Sequence, residues 1–212
     1  MQLIGTLFSP YVRRTAIALR RYGVAFEHRS LSPFDDRDAF AQINPVLKAP
    51  TLVLDDGQKL IDSGLILDYF ESQAKPERRL LPADAPDRAH ALRIIGLALA
   101  VCEKAAQIAY EQKRRPEDKR YLPLIARSAT QVIAACTELE AAMERHPPSV
   151  ANDRVGLAGI TLAASWTFAH LVMPDSVAAA SFPRLAGFVR QVEALPVFAS
   201  VPSSGAIRSW PS

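Results

Sequence analysis

Two short apolar runs, Thr51-Leu52-Val53-Leu54 and Leu60-Ile61, flank Asp56-Gly57, the strongest short-range signal for a β-hairpin. This hairpin constrains the chain because of what surrounds it. Upstream, Gln2 to Leu7 reads as a strand and Pro10 to Tyr22 as a helix closed by Gly23. Phe26 to Leu31 then alternates like a second strand, and a short helical or irregular stretch follows. Downstream, Ser63 to Phe70 has helical spacing, with Leu65, Ile66, Tyr69 and Phe70 on one stripe. The order is β-α-β-α-β-β-α. A right-handed βαβ unit followed by an antiparallel hairpin and a helix is the layout of a thioredoxin-like sheet.

Beyond residue 76 the pattern changes. Three prolines between Ala74 and Pro86 mark a linker, and no strand pattern follows. Residues 87–114 and 117–145 read as two long helices separated near Pro116, with Pro123 bending the first turns of the second. Shorter helices are expected at 157–172 and 183–194, and the tail from Pro202 to Ser212 as irregular chain. The expected division is a thioredoxin-like domain at 1–76, a linker at 77–86 and an all-helical bundle at 87–212.

Composition excludes several functional classes. Of the 212 residues, 25 are basic and 22 acidic, and the excess of +3 forms no sustained basic block, so no nucleic-acid partner is expected. The apolar run Ile94 to Cys102 ends at Glu103-Lys104, well short of a membrane span. The N-terminus carries no signal-peptide pattern, and a cytoplasmic protein is expected. Cys102 and Cys136 lie far apart within apolar helical patterns, which suits buried structural thiols in a reducing compartment; no metal site is expected.

Three features carry potential chemistry. Ser9-Pro10 suits the start of a helix, serine as N-cap and proline at the first position, and equally suits a hydroxyl placed for catalysis. Ala49-Pro50 precedes a strand, where a proline ends a loop or holds a cis peptide at a ligand site. Asp62-Ser63 caps the next helix, whose first amides are able to hold a carboxylate. In a sheet of this topology all three meet at one edge.

With these motifs in order, the chain resembles the cytosolic glutathione transferases, particularly bacterial members with an N-terminal serine. Ser9-Pro10-Tyr11-Val12-Arg13 resembles their catalytic turn, Asn44-Pro45 to Pro50 their cis-proline loop, and Asp62-Ser63 their γ-glutamyl motif. The resemblance implies a transferase in which Ser9 stabilises the glutathione thiolate for attack on a small, apolar electrophile. It assigns glutathione binding to Ser9, Lys48, Ala49, Pro50, Asp62 and Ser63. Tyr11, Phe34, Tyr110 and Trp166 become candidates to line the electrophile pocket, and each also suits simple core packing. It further implies glutathione as co-substrate and a homodimer. The same scaffold hosts isomerases, dehalogenases and non-catalytic protein-binding modules.

The chain departs from the family pattern in two places. Leu47 stands where members commonly carry glycine. Gly156 and Gly159 replace the Ser/Thr and Asp of a helix N-capping box, so restoring both polar residues is expected to raise the melting temperature.

Overall fold

The computed structural model describes residues 1–152 and 154–203. The expected irregular tail falls largely on residues 204–212, outside the described residues. The strands are β1 (Gln2–Ile4), β2 (Glu27–Arg29), β3 (Thr51–Val53) and β4 (Lys59–Ile61). They form one mixed sheet in the order β2-β1-β3-β4, with β1 parallel to β2 and antiparallel to β3. The hairpin pairs Leu52 with Leu60, and Gly57 takes the left-handed conformation its turn requires, at φ 85°.

Three helices belong to this sheet: α1 (Pro10–Tyr22), α2 (Arg37–Ile43) and α3 (Ser63–Gln73). α1 ends at Gly23, whose left-handed backbone returns its N–H to Arg20. The stripe read on α3 is only half correct. Ile66 and Phe70 are buried with Leu67, but Leu65 is 68% exposed and Tyr69 39% exposed. Helical spacing places these residues on neighbouring rows, and the helix has rolled to bury the row carrying Ser63, Leu67 and Glu71.

From Ala85 onward the described structure is helical: α4 (Ala85–Lys113), α5 (Leu122–Arg145), α6 (Leu157–Val172), α7 (Pro183–Glu193) and the single turn α8 (Pro196–Ala199). Pro123 opens α5 rather than bending it, since a first-turn proline forfeits no helical hydrogen bond. Among the described residues, no helix is long and apolar enough to cross a membrane.

α1 is the element on which both halves converge. Arg13, 2% exposed, donates through both Nη atoms to the Glu193 carboxylate at 2.6 and 2.5 Å and through Nε to the Val201 carbonyl at 2.9 Å. Thr167 adds a 3.0 Å hydrogen bond to the same carboxylate. Arg21 Nε reaches the Val155 carbonyl at 3.3 Å. The connecting segment is pinned by buried Glu71, which accepts from the Tyr22 hydroxyl and from the backbone N–H groups of Leu80 and Leu81.

This connection also explains Gly156 and reverses the capping-box expectation. Leu157 N–H donates to the Leu80 carbonyl at 2.9 Å, drawing the head of α6 against the connecting segment. A Cβ on Gly156 would stand 2.8 Å from that same backbone oxygen, closer than side chains tolerate. A Cβ on Gly159 would lie 3.1 Å from the Phe188 ring and 3.7 Å from Val155, apolar neighbours for an added carboxylate. The missing box is replaced by close packing.

Candidate functional site

Ser9 is the N-cap of α1, with extended backbone (φ −67°, ψ 122°), and Pro10 occupies the first turn. Its carbonyl accepts from Arg13 N–H at 2.9 Å. Its hydroxyl oxygen accepts from Val12 N–H at 3.5 Å, a weak cap at the limit of hydrogen bonding. The hydroxyl keeps its own proton and acceptor capacity for a ligand.

Ser9 lines a cavity of about 490 Å³ between the sheet edge and the helices. Tyr11, Phe34, Lys48, Ala49 and Tyr110 line the same cavity, so six of the residues read from sequence share one space. Of the serine and threonine hydroxyls in its wall, which include Thr6, Ser30 and Ser32, Ser9 is the one at a helix head. Burial pushes the Tyr11 and Tyr110 phenols above their ordinary range, so both are neutral donors at physiological pH.

The loop before β3 is shaped by Asn44. Its Nδ2 donates to Thr51 Oγ1 at 2.8 Å, its Oδ1 accepts from Val46 N–H at 3.0 Å, and Thr51 Oγ1 donates to the Lys48 carbonyl at 2.7 Å. The Ala49–Pro50 peptide is cis. Ala49 faces the cavity and Pro50 is buried behind it. Leu47 has φ 55°, the left-handed region, at a cost of about 1–2 kcal/mol for a non-glycine residue. A glycine would suit that conformation without strain, and Leu47 lines the cavity.

Asp62 and Ser63 do not line the cavity. Asp62, also at positive φ (71°), is exposed and caps α3 through a 2.8 Å hydrogen bond from Gly64 N–H to Oδ1. Ser63 is 2% exposed, and its hydroxyl accepts from Arg14 Nη1 at 2.9 Å.

Trp166 stands away from the cavity. It is buried between His170, stacked at 6.4 Å, and Phe182, edge-on at 5.8 Å. Phe168, two residues further along α6, faces the cavity and meets Phe8 edge-on at 5.5 Å. Sequence reasoning favoured the larger ring, and a two-residue step on a helix turns a side chain well away from its neighbour's face.

Arg114 was also missed. It lies one turn beyond Tyr110, places its guanidinium 4.5 Å from the Phe34 ring centre, and pairs with Asp35 at 3.4 Å. The i, i+4 relation to Tyr110 was the signal available. Phe34 and Tyr110 rings are 5.4 Å apart, so these four residues join the two sides of the cavity mouth.

The cysteines take no part. Burial pushes Cys102 up to about 11, partly offset by its hydrogen bond with Ser165, and Cys136 up to about 12. Both are neutral thiols at physiological pH, without nucleophilic character. Among the described residues, no group of three or more His, Cys, Asp or Glu side chains is arranged to hold a metal ion.

A mixed sheet with a cavity at the head of its first helix, covered by a helical half, is the fold of the glutathione transferases. Residues 3–78 match the family model for the glutathione S-transferase N-terminal domain. A glutathione S-transferase from Methylobacterium radiotolerans, crystallised with glutathione sulfonate, superposes with a TM-score of 0.86 at 29% identity, covering 98% of this chain and 97% of that one. A glutathione transferase family member from Pseudomonas fluorescens, with bound glutathione, has a TM-score of 0.77 at 27% identity, covering 98% of each chain. The uncharacterised GST-like protein YibF of Escherichia coli is 28% identical over 163 residues, 77% of this chain and 79% of that protein. The chain is therefore similar to the glutathione transferases in fold over nearly its whole length, and in its N-terminal domain by sequence.

Proposed function

We propose that this protein is a glutathione transferase that stabilises the glutathione thiolate at Ser9 for attack on a small, largely apolar electrophile. The observation that carries the reading is a weakly engaged Ser9 hydroxyl at the head of α1, in the wall of a cavity shared with Ala49. The thiolate is the nucleophile, and a model thiol has a pKa of about 8.5. Lowering it by two units takes about 2.7 kcal/mol of preferential stabilisation. A hydrogen bond to a charged group contributes roughly 1.5–3 kcal/mol and a helix N-terminus roughly 0.3–1, so Ser9 suffices without a general base.

In this reading the backbone of Ala49, presented by the cis bond to Pro50, pairs with the cysteinyl residue as an added strand. Asp62 and Ser63 bind the γ-glutamyl end, and Lys48, exposed at the cavity rim, reaches the glycyl carboxylate. Among the described residues, the two non-glycine residues at positive φ, Leu47 and Asp62, fall in these proposed ligand-binding segments, where backbone strain is commonly concentrated. Tyr11, Phe34, Tyr110 and Phe168 receive the electrophile. Exposed Leu65 and Tyr69 on α3 suit burial in a homodimer, and the reading is of a cytoplasmic enzyme with no metal.

Retention on immobilised glutathione together with turnover of an aromatic halide is the expected result. Retention without turnover of halide, peroxide or isomerisable substrates assigns a non-catalytic binding module instead. Failure of both overturns the reading.

A further inference from the structure

We propose that the Tyr11 hydroxyl is a hydrogen-bond donor to the electrophile, and that the cavity is built for conjugated carbonyl compounds, whose oxygen gains negative charge as the thiolate adds. The proposal rests on the glutathione reading above and deepens it, from apolar electrophiles in general to one class of them.

Tyr11 lies two residues beyond Ser9, in the first turn of α1, and is half-buried in the cavity wall. Its backbone carbonyl accepts from the Thr15 hydroxyl at 2.8 Å, but its own hydroxyl makes no hydrogen bond among the described residues. Tyr22, at the far end of the same helix, is buried and donates to the Glu71 carboxylate at 2.9 Å. Tyrosine hydroxyls withdrawn from bulk water usually find such a partner. Phenylalanine would fill this wall as well and leave no polar atom to satisfy, so packing alone does not account for the Tyr11 oxygen.

The groups that act on the phenol show which way it faces. They include Cys102, Glu103 and Tyr110 on α4, with Asp62 at the head of α3. The ring therefore reaches toward α4, whose Ala106 and Tyr110 line the same cavity. Burial first, and then these neighbours, each neutral or negative, hold the phenol protonated. Tyr11 is thus neither a base nor a ready source of protons. It can donate one hydrogen bond, in a partly desolvated setting where such a bond is strong.

The remainder of the wall suits a substrate that arrives neutral and becomes charged at oxygen. Phe8, Ala106 and Phe168 are apolar. The cavity's two carboxylates are engaged by Ser32, Asp35 through its hydroxyl at 3.0 Å and Asp36 through its N–H at 2.8 Å. Tyr110, the other phenol, is 46% exposed at the mouth, where water competes for its hydroxyl.

An α,β-unsaturated carbonyl compound meets these conditions. The glutathione sulfur forms a bond to the β-carbon, and the carbon–carbon π pair moves onto the carbonyl oxygen as an enolate. A hydrogen bond from Tyr11 strengthens as that charge grows, so it lowers the barrier rather than only holding the substrate. The α-carbon then takes a proton from water, which replaces the one lost when the thiol ionised, and the product is a neutral thioether. The phenol keeps its proton throughout. In displacement of an alkyl halide the charge leaves with the halide, and no oxygen of the substrate gains any.

The test compares 4-phenyl-3-buten-2-one, a conjugated ketone, with benzyl chloride, an alkyl halide of similar apolar character, at saturating glutathione. Tyr11→Phe should lower the ketone-to-halide ratio of kcat/KM by about tenfold to a hundredfold, less than a fully enclosed oxyanion donor contributes because Tyr11 is half-buried. The loss should fall on kcat. Tyr110→Phe should move the ratio far less, and in Tyr11→Phe the absorbance of the bound thiolate should titrate as in wild type. A ratio unmoved by Tyr11→Phe, a loss confined to KM, or a larger effect from Tyr110→Phe overturns the assignment. A shifted thiolate titration does so as well, since Tyr11 would then serve the sulfur. If Tyr11→Phe does not fold, replacing Tyr11 with 3-fluorotyrosine, a more acidic phenol of nearly the same shape, should raise the ratio; an unchanged or lower ratio refutes the proposal. Wild type that turns over the halide alone refutes it while leaving the glutathione reading in place. Wild type that forms no thiolate and turns over neither compound removes that reading itself, a distinct outcome.

Discussion

A serine at a helix N-cap usually turns its oxygen firmly toward a backbone N–H of the first turn. Ser9 makes that bond at 3.5 Å, and so combines weak capping with an available hydroxyl. Ser9→Ala is therefore expected to cost stability at the low end of capping effects, about 0.5 kcal/mol. Its effect on chemistry should be larger. Removing a hydrogen bond to a charged sulfur is expected to raise the pKa of the bound thiol by about one to two units, read from thiolate absorbance during a pH titration. The sign follows from which form is stabilised: without the donor the thiolate is disfavoured, and the acidic limb of the rate profile moves to higher pH. An unmoved titration would leave Ser9 as a cap alone.

Individual elements differ in how far their own sequence explains them. Asp56-Gly57 and Ser9-Pro10 encode their geometry locally, in residues that favour a particular turn or helix start, and both were legible. The α3 stripe was legible as a helix but not in its facing, because Leu65 is as apolar as Leu67 and only the packed neighbours distinguish them. Trp166 and Phe168 raise the same difficulty within the cavity wall. Gly156 was hidden for another reason. Its neighbour is the backbone of Leu80, remote in sequence, and local rules for capping point the opposite way. Gly156→Ser combined with Gly159→Asp is thus expected to destabilise the protein by about 2 kcal/mol, as overpacking does. For a chain of this size that lowers the melting temperature by about 4–8 °C. A rise in the midpoint on thermal denaturation would restore the capping-box interpretation.

Across the whole molecule, the contacts that unite the sheet and helical halves concentrate on α1. Arg13 carries much of this, with a bidentate ion pair to Glu193 and a further bond to the Val201 carbonyl. Removing one member of a buried pair generally costs about 3–5 kcal/mol. Glu193 is 29% exposed and can be partly rehydrated, so Arg13→Leu is expected to fall near the lower end, about 3 kcal/mol. Hydrogen exchange should quicken in α7 and α8 while the sheet keeps its protection. Uniformly faster exchange would show instead that the two halves unfold as one unit regardless of this contact.

The placement of Arg13 and Arg14 limits how such a chain can be recombined. Both belong by sequence to the sheet half, yet Arg13 answers to Glu193 and Val201, and Arg14 to Thr161. A chimera that joined residues 1–76 to a helical half lacking counterparts of Glu193 and Thr161 would carry the Ser9 turn intact and still mismatch the groups beneath it. The halves are consecutive in the chain but not interchangeable cassettes; the inheritable unit is α1 together with the faces of α6 and α7 that receive its arginines.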